Sequence, residues 1–190
     1  MFAHVFGYAS LVALPEQGAL PGCLRGYRRY WGVAMDNWDA VNDPKHFVDP
    51  KTGERPHIRV AYLDIEPIRS RGEPGAAIVN GLAIPVDAAR LAALDEREVN
   101  YERIDVTHAF QPPLDGRVFT YVGTAAARER CAQGRADADA FVSRDYVAGV
   151  RAAFAALADD ALAEFDRTTD PLPFPERDLG LVQPPRETGS

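Results

Sequence analysis

Val5-Phe6-Gly7-Tyr8-Ala9-Ser10-Leu11 is the stretch around which the rest of the chain is organised. It begins as a strand, with Phe2 and Val5-Phe6 as the apolar body. Gly7 ends the regular pattern, because glycine reaches backbone angles that a side chain forbids. An aromatic with a hydroxyl follows, then two small residues and a leucine. Ala9 and Ser10 leave room for another group to approach the main chain. A strand ending in such a turn points N–H groups outward, and these can cradle an anion or a polarised carbonyl. The plainer reading is a strand followed by a surface turn, since connections of ~2–6 residues occur throughout globular domains. This stretch alone leaves both open.

The chain around it has 190 residues, enough for one domain with a real core. Hydrophobic residues make up 46% and charged residues 26%, the balance of a soluble globular protein. A net charge of −7 disfavours nucleic-acid binding. The local cluster Arg25, Arg28, Arg29 is basic, and solvated charge on a strand edge is its simplest reading. No apolar run approaches the ~20 residues that span a bilayer, and the N-terminus lacks the pattern of a signal peptide. Cys23 and Cys131 are too few for a disulfide framework; reduced thiols in the cytoplasm are the default. The four histidines show no metal-ligand spacing with the cysteines, so a structural zinc is not expected. Phosphate-loop, nucleophile-elbow and dinucleotide glycine motifs are all absent. Ser10 has no evident histidine partner in sequence.

Taken in order, residues 2–7 form a first strand and 12–21 a loop with Pro15, Gly18 and Pro21. Cys23 to Met35 is a long extended stretch, bent at Gly26 or Gly32. Asp36 to Pro56 is polar and turn-rich, a long irregular excursion of the kind that often serves as a lid or binding loop. Trp38, His46 and Phe47 either rim a pocket or, as preferred, pin this loop down. His57 to Ile65 and Ala76 to Ile84 are strands, with a turn over 69–75. Tyr101 to Val106 and Val118 to Val122 complete about six strands, adjacent in sequence in the first half. Alanine-rich helices are expected over 124–133 and 144–165. A mixed α+β domain around a curled sheet or small barrel follows, with flanking helices. It spans residues 1–168; residues 169–190 are a proline-rich tail, lying along the surface or disordered at its end.

Between the strands, residues 85–98 change period. Asp87 can cap a helix whose apolar positions are Leu91 and Leu94. With Leu91 at zero on a helical wheel, Leu94 falls near about −60° and Glu98 near about −20°. Glu98 therefore lies on the apolar stripe if the helix persists that far. A carboxylate there is costly unless it is paired or opens onto a cavity. Desolvation would raise its pKa, as a general base near neutral pH requires. A solvated helix end is the alternative, and Asp95, near about +40°, shares the face almost as well. Tyr8, Tyr121 and Tyr146 lie near strand ends or on a buried helix face. Each is either a core tyrosine or a hydroxyl offered to a ligand.

Four segments, in order, resemble the gamma-glutamylcyclotransferase-like family. Phe6-Gly7-Tyr8-Ala9-Ser10-Leu11 is similar to its N-terminal Tyr-Gly-Ser-Leu loop, with Ala9 in place of glycine. Leu24-Arg25-Gly26-Tyr27-Arg28-Arg29 resembles the following strand. Leu94-Asp95-Glu96-Arg97-Glu98 with Tyr101-Glu102-Arg103 resembles the segment bearing the catalytic glutamate. Thr120-Tyr121-Val122 and Ser143-Arg144-Asp145-Tyr146 resemble the elements that supply pocket tyrosines. The resemblance implies release of 5-oxoproline from a small-molecule gamma-glutamyl substrate, whose own α-amine attacks the γ-carbonyl. It implies Glu98 as the base, Gly7, Tyr8, Ala9, Ser10 and Leu11 as the loop holding the γ-glutamyl group, and Tyr121 and Tyr146 as orienting hydroxyls. No cofactor, nucleic acid or membrane is implied, and the chain would act as a monomer or homodimer. Two alternatives remain: a non-catalytic binding module on the same fold, or a biosynthetic enzyme removing a gamma-glutamyl protecting group.

Overall fold

The computed structural model describes residues 3–14, 17–38, 45–68 and 77–183. Phe2, Pro15, the Asn42-Asp43-Pro44 turn, the expected turn over 69–75 and Pro184-Pro185 lie outside the described residues.

The opening strand β1 (Ala3–Gly7) is the middle of a six-stranded sheet. Antiparallel β6 (Ile78–Val86) lies on one side and parallel β9 (Arg117–Gly123) on the other. Its Val5 and Phe6 are fully buried, as a strand with neighbours on both edges and layers on both faces demands. The sheet extends through β7 (Tyr101–Asp105) beyond β9, and through β2 (Leu20–Arg25) and the short β8 (Phe110–Gln111) beyond β6. The fold is mixed α+β around a six-stranded sheet with flanking helices, as the adjacency of strands in the sequence led one to expect.

The bend expected in the long Cys23–Met35 stretch occurs at both glycines. Gly26 has φ +79° and separates β2 from β3 (Tyr27–Asp36), so the chain leaves one sheet and enters another. At Gly32 the pairing of β3 with β5 (Arg59–Pro67) slips between Trp31 and Val33, a bulge. β3 and β5 belong to a four-stranded sheet completed by β10 (Ala140–Ser143) and β11 (Glu176–Arg177).

Asp64 of β5 ties the two sheets together. It is fully buried and accepts from the backbone N–H of Gly123 at the end of β9 (2.8 Å), from Arg128 Nε (2.7 Å) and from the Tyr30 hydroxyl (3.0 Å). Arg128 belongs to α2 (Ala125–Ala136), which follows β9 directly.

One arginine overturns the reading of a solvated basic cluster. Alternation along β3 puts Tyr27, Arg29 and Trp31 on the inward face, and Arg29 is fully buried. Its guanidinium donates to Thr169 Oγ1 (3.1 Å) and to Asn80 Oδ1 (3.0 Å) and carbonyl, and it lies over the rings of Phe154 and Phe165. Burial pulls its pKa down to about 9.

The expected single helix over 144–165 is two: α3 (Arg144–Leu157) and α4 (Ala161–Thr168). The break falls at Ala158-Asp159-Asp160, where aspartates favour turns over helix interiors. It folds Phe165 back onto Phe154, ring centroids 4.6 Å apart.

The stretch from Asp170, expected to lie on the surface or to be disordered at its end, is built into the body as far as the described residues go. Phe174 and Leu179 are buried. β11 pairs with β10, and β12 (Gly180–Val182) pairs with β4 (His46–Val48), a strand inside the excursion read as irregular. Cys23 and Cys131 are both free thiols. Among the described residues no helix is long and apolar enough to cross a membrane.

Candidate active site

Asp87 caps α1 (Ala88–Arg97) as its sequence position suggests, accepting from Arg90 N–H at 2.7 Å. Leu94 anchors the inward face and is 3% exposed. The helix does not run on past Arg97; Glu98 is its C-cap, with φ −91° and ψ 48°. The Glu98 N–H still bonds the Leu94 carbonyl (2.9 Å), while its own carbonyl accepts from Tyr101 N–H (2.8 Å). That clasp fixes the backbone on both sides of the residue where helix gives way to β7. The Glu98 side chain is only 15% exposed, and it opens into a cavity of about 350 Å³.

The stretch after β1 forms another part of the wall of that cavity. Tyr8, Ala9, Ser10 and Leu11 all line it. Ser10–Ala13 is a single 3₁₀ turn, closed by Val12 N–H to the Ala9 carbonyl and Leu14 N–H to the Leu11 carbonyl, each 3.0 Å. Ala9 has φ −144°, so the methyl group in place of glycine does not sit at a positive φ. Gly7 does not line the cavity. It stands behind the loop, where a Cβ would sit 2.7 Å from Leu11 Cβ. Its smallness lets the 3₁₀ turn fold back over the end of the strand.

Tyr121 and Tyr146 line the same cavity. Their hydroxyls are used differently. Tyr121 donates to Asp95 Oδ1 (2.7 Å), which accounts for the second carboxylate on the α1 face. Tyr8 donates to the Tyr121 carbonyl (2.8 Å) and Tyr101 to the Leu63 carbonyl (2.8 Å). The Tyr146 hydroxyl accepts from Leu63 N–H at 3.4 Å, and among the described residues its own proton is left for a further acceptor. Burial pushes all four phenols above their usual range, so they remain neutral donors.

Burial likewise pushes the Glu98 carboxyl up, opposed by the charges of Arg97 and Lys45. Arg97 Nε stands 3.3 Å from Glu98 Oε1. The site thus holds one largely desolvated carboxylate, two cations that temper it, and a ring of neutral hydroxyls. Among the described residues no group of three or more histidine, cysteine or acidic side chains could hold a metal ion.

Sequence reasoning did not single out the apolar wall: Met35, Tyr62, Leu179 and Leu181 also line the cavity. Tyr62 is one alternating strand residue among many, and Leu179 and Leu181 fall in the proline-rich stretch, which carries no period. Phe47 is both things weighed for it. It lines the cavity, and it anchors the excursion through Asn37, whose side chain accepts from Phe47 N–H (2.7 Å) and donates to its carbonyl (3.0 Å). Trp38 lies outside the cavity, 45% exposed and stacked on His57.

No protein-family model matches the sequence, and no curated protein matches it. Solved structures do. A glutathione-specific gamma-glutamyl cyclotransferase from yeast superposes with a TM-score of 0.53 at 14% identity, over 88% of this chain and 95% of that one. The fold is that of the gamma-glutamyl cyclotransferases. YkqA from Bacillus subtilis gives a TM-score of 0.54 at 11% identity, over 87% of this chain and 53% of that one. The chain therefore spans about half the length of YkqA, and the cyclotransferase fold accounts for nearly all of the chain itself.

Proposed function

We propose that the protein is a gamma-glutamyl cyclotransferase, releasing 5-oxoproline and an amine from a gamma-glutamyl compound. The observation that carries this reading is Glu98: a buried carboxylate, costly where it stands, facing the same cavity as the loop Tyr8–Leu11.

The chemistry requires no nucleophile from the protein. Glu98 takes a proton from the substrate's α-ammonium. The freed amine attacks the γ-carbonyl carbon, and a five-membered ring closes through a tetrahedral intermediate. Backbone N–H groups of the Tyr8–Leu11 loop hold the developing oxyanion. The protonated Glu98 returns its proton to the departing nitrogen, the C–N bond breaks, and the carboxylate so restored takes the second proton of the ring nitrogen and passes it to the released amine. Ring closure is intramolecular, so a cavity that holds one conformer supplies much of the rate. The free proton of Tyr146 orients the γ-glutamyl group. Ser10 is then a wall residue rather than a nucleophile. A substrate ammonium beside Glu98 favours the charged carboxylate and opposes the effect of burial, so the proton moves within an enclosed site.

The test is 5-oxoproline release by the purified protein from a panel of gamma-glutamyl amines, gamma-glutamyl amino acids and glutathione. Turnover of at least one of them supports the reading. A panel with no turnover contradicts it.

A further inference from the structure

Arg97 and Glu98 line one cavity side by side. Neighbouring residues on a continuous helix point about 100° apart and do not face each other. Here the helix stops between them: Arg97 is the last residue of α1, while Glu98 is the C-cap, with φ −91° and ψ 48°. The two side chains meet, Arg97 Nε standing 3.3 Å from Glu98 Oε1. Both are largely enclosed, at 24% and 15% side-chain exposure. A cation in the last turn of a helix is favoured by the helix dipole. That accounts for a charge at position 97, not for its presence in the cavity wall.

The contact with Glu98 is made through Nε. The Nη1–Nη2 edge of the same guanidinium is a second fork, of the shape that takes a carboxylate by two parallel hydrogen bonds. A planar guanidinium presents that fork as a unit, where an ammonium offers a point charge. Lys45 lines the cavity too, and its charge also acts on Glu98.

A γ-glutamyl compound brings two charges into this corner. Its α-ammonium must reach Glu98 for the proton to be taken, and its α-carboxylate is bonded to the same carbon. That carboxylate therefore arrives beside Glu98, where an anion already stands. Like charges in a largely desolvated site repel strongly unless a cation stands with them. We infer that Arg97 receives the α-carboxylate of the γ-glutamyl group, so that the site selects amides whose attacking amine carries a carboxylate on the same carbon. The inference rests on the cyclotransferase reading and deepens it by naming a residue that sets specificity. Glu98 and Arg97 then present the complement of the substrate's zwitterion, a carboxylate for its ammonium and a guanidinium for its carboxylate.

The decisive pair is γ-glutamyl-p-nitroanilide and 4-aminobutyryl-p-nitroanilide, which differ by the α-carboxylate alone. Either can close to a five-membered lactam with release of p-nitroaniline, which is the readout. In the unmodified protein kcat/KM is expected to favour the γ-glutamyl compound by roughly 10- to 100-fold, the worth of a charge-assisted pair. In Arg97→Gln the preference should shrink to within a few-fold, chiefly through a higher KM for the γ-glutamyl compound, and Arg97→Lys should restore part of it. Rates taken on the plateau of each variant's pH profile keep the titration of Glu98 out of the comparison. A compound that is not turned over is measured as a competitive inhibitor of the best substrate in the panel, and the ratio of inhibition constants is held to the same expectation. An equal fall for both compounds in Arg97→Gln would mean that Arg97 acts only through Glu98; it would overturn the inference and leave the cyclotransferase reading standing. No lactam from any compound, the panel included, overturns both.

Discussion

Two demands meet at Glu98. Burial favours its protonated form, while its task requires the carboxylate, and Arg97 and Lys45 lean toward the second. Activity should therefore rise with pH as Glu98 ionises, along a limb lying above the ordinary glutamate range. A flat profile from pH 4 upward would contradict a buried base. The same shift bears on stability. A carboxyl whose pKa is raised in the folded state contributes stability that is fully present below its unfolded pKa and is lost as pH rises through the folded one. At neutral pH the charge is thus a liability, and Glu98→Gln should hold or raise the melting temperature there. A drop of several degrees would mean that the carboxylate is structural. Tyr146→Phe removes the one hydroxyl proton of the four tyrosines that, among the described residues, is left for a further acceptor. One lost hydrogen bond of about 0.5–1.5 kcal/mol predicts a roughly 2- to 10-fold fall in kcat/KM; unchanged kinetics would make it a core residue. At this scale the sequence was informative because cost is visible in it: a carboxylate between two leucines signals a reason to be there. Arg29 carried no such signal. Its burial follows from alternation with Tyr27 and Trp31, but its partners, Asn80, Phe154, Phe165 and Thr169, come from distant segments.

At the scale of elements, α1 was legible because cap and apolar spacing agreed, and the extended stretch over β2 and β3 because Gly26 between them and Gly32 within β3 each had a backbone task. The break between α3 and α4 was written in Asp159-Asp160, within a run of alanines that suits helix throughout. The short strands β4, β8, β10, β11 and β12 were not legible, since two to four residues show no period and gain their stability from neighbours already in place. Three of them, β4, β11 and β12, turn an excursion and a proline-rich stretch into structure. Leu179 tests how much they matter. It is 2% exposed and packs with Met35 and Phe47, so Leu179→Ala should cost about 2–5 kcal/mol by chemical denaturation. It should also raise KM by opening the cavity wall. A loss well under that range would show that the segment lies loosely on the body.

For the molecule as a whole, the α+β class followed from strands adjacent in sequence, and the six-stranded sheet has the number expected. What the sequence could not give was the second sheet and the way the two are joined. That joint is Asp64, with a backbone N–H from one sheet, an arginine from α2 and a tyrosine hydroxyl from β3. Asp64→Ala leaves those donors unmet and should destabilise the protein by about 3–5 kcal/mol, seen as a lower denaturation midpoint. A change under about 1 kcal/mol would place the joint elsewhere. The candidate site depends on the same architecture, since the turn after β1 and the end of α1 line one cavity. The most direct test of that account is 5-oxoproline release by Glu98→Gln beside the unmodified protein, on whichever gamma-glutamyl compound the latter turns over best, with circular dichroism as the control for folding. Loss of a general base predicts a fall of roughly 10²- to 10⁴-fold in kcat with the fold intact. Turnover within a few-fold of the unmodified protein would contradict the assignment of Glu98 as the base.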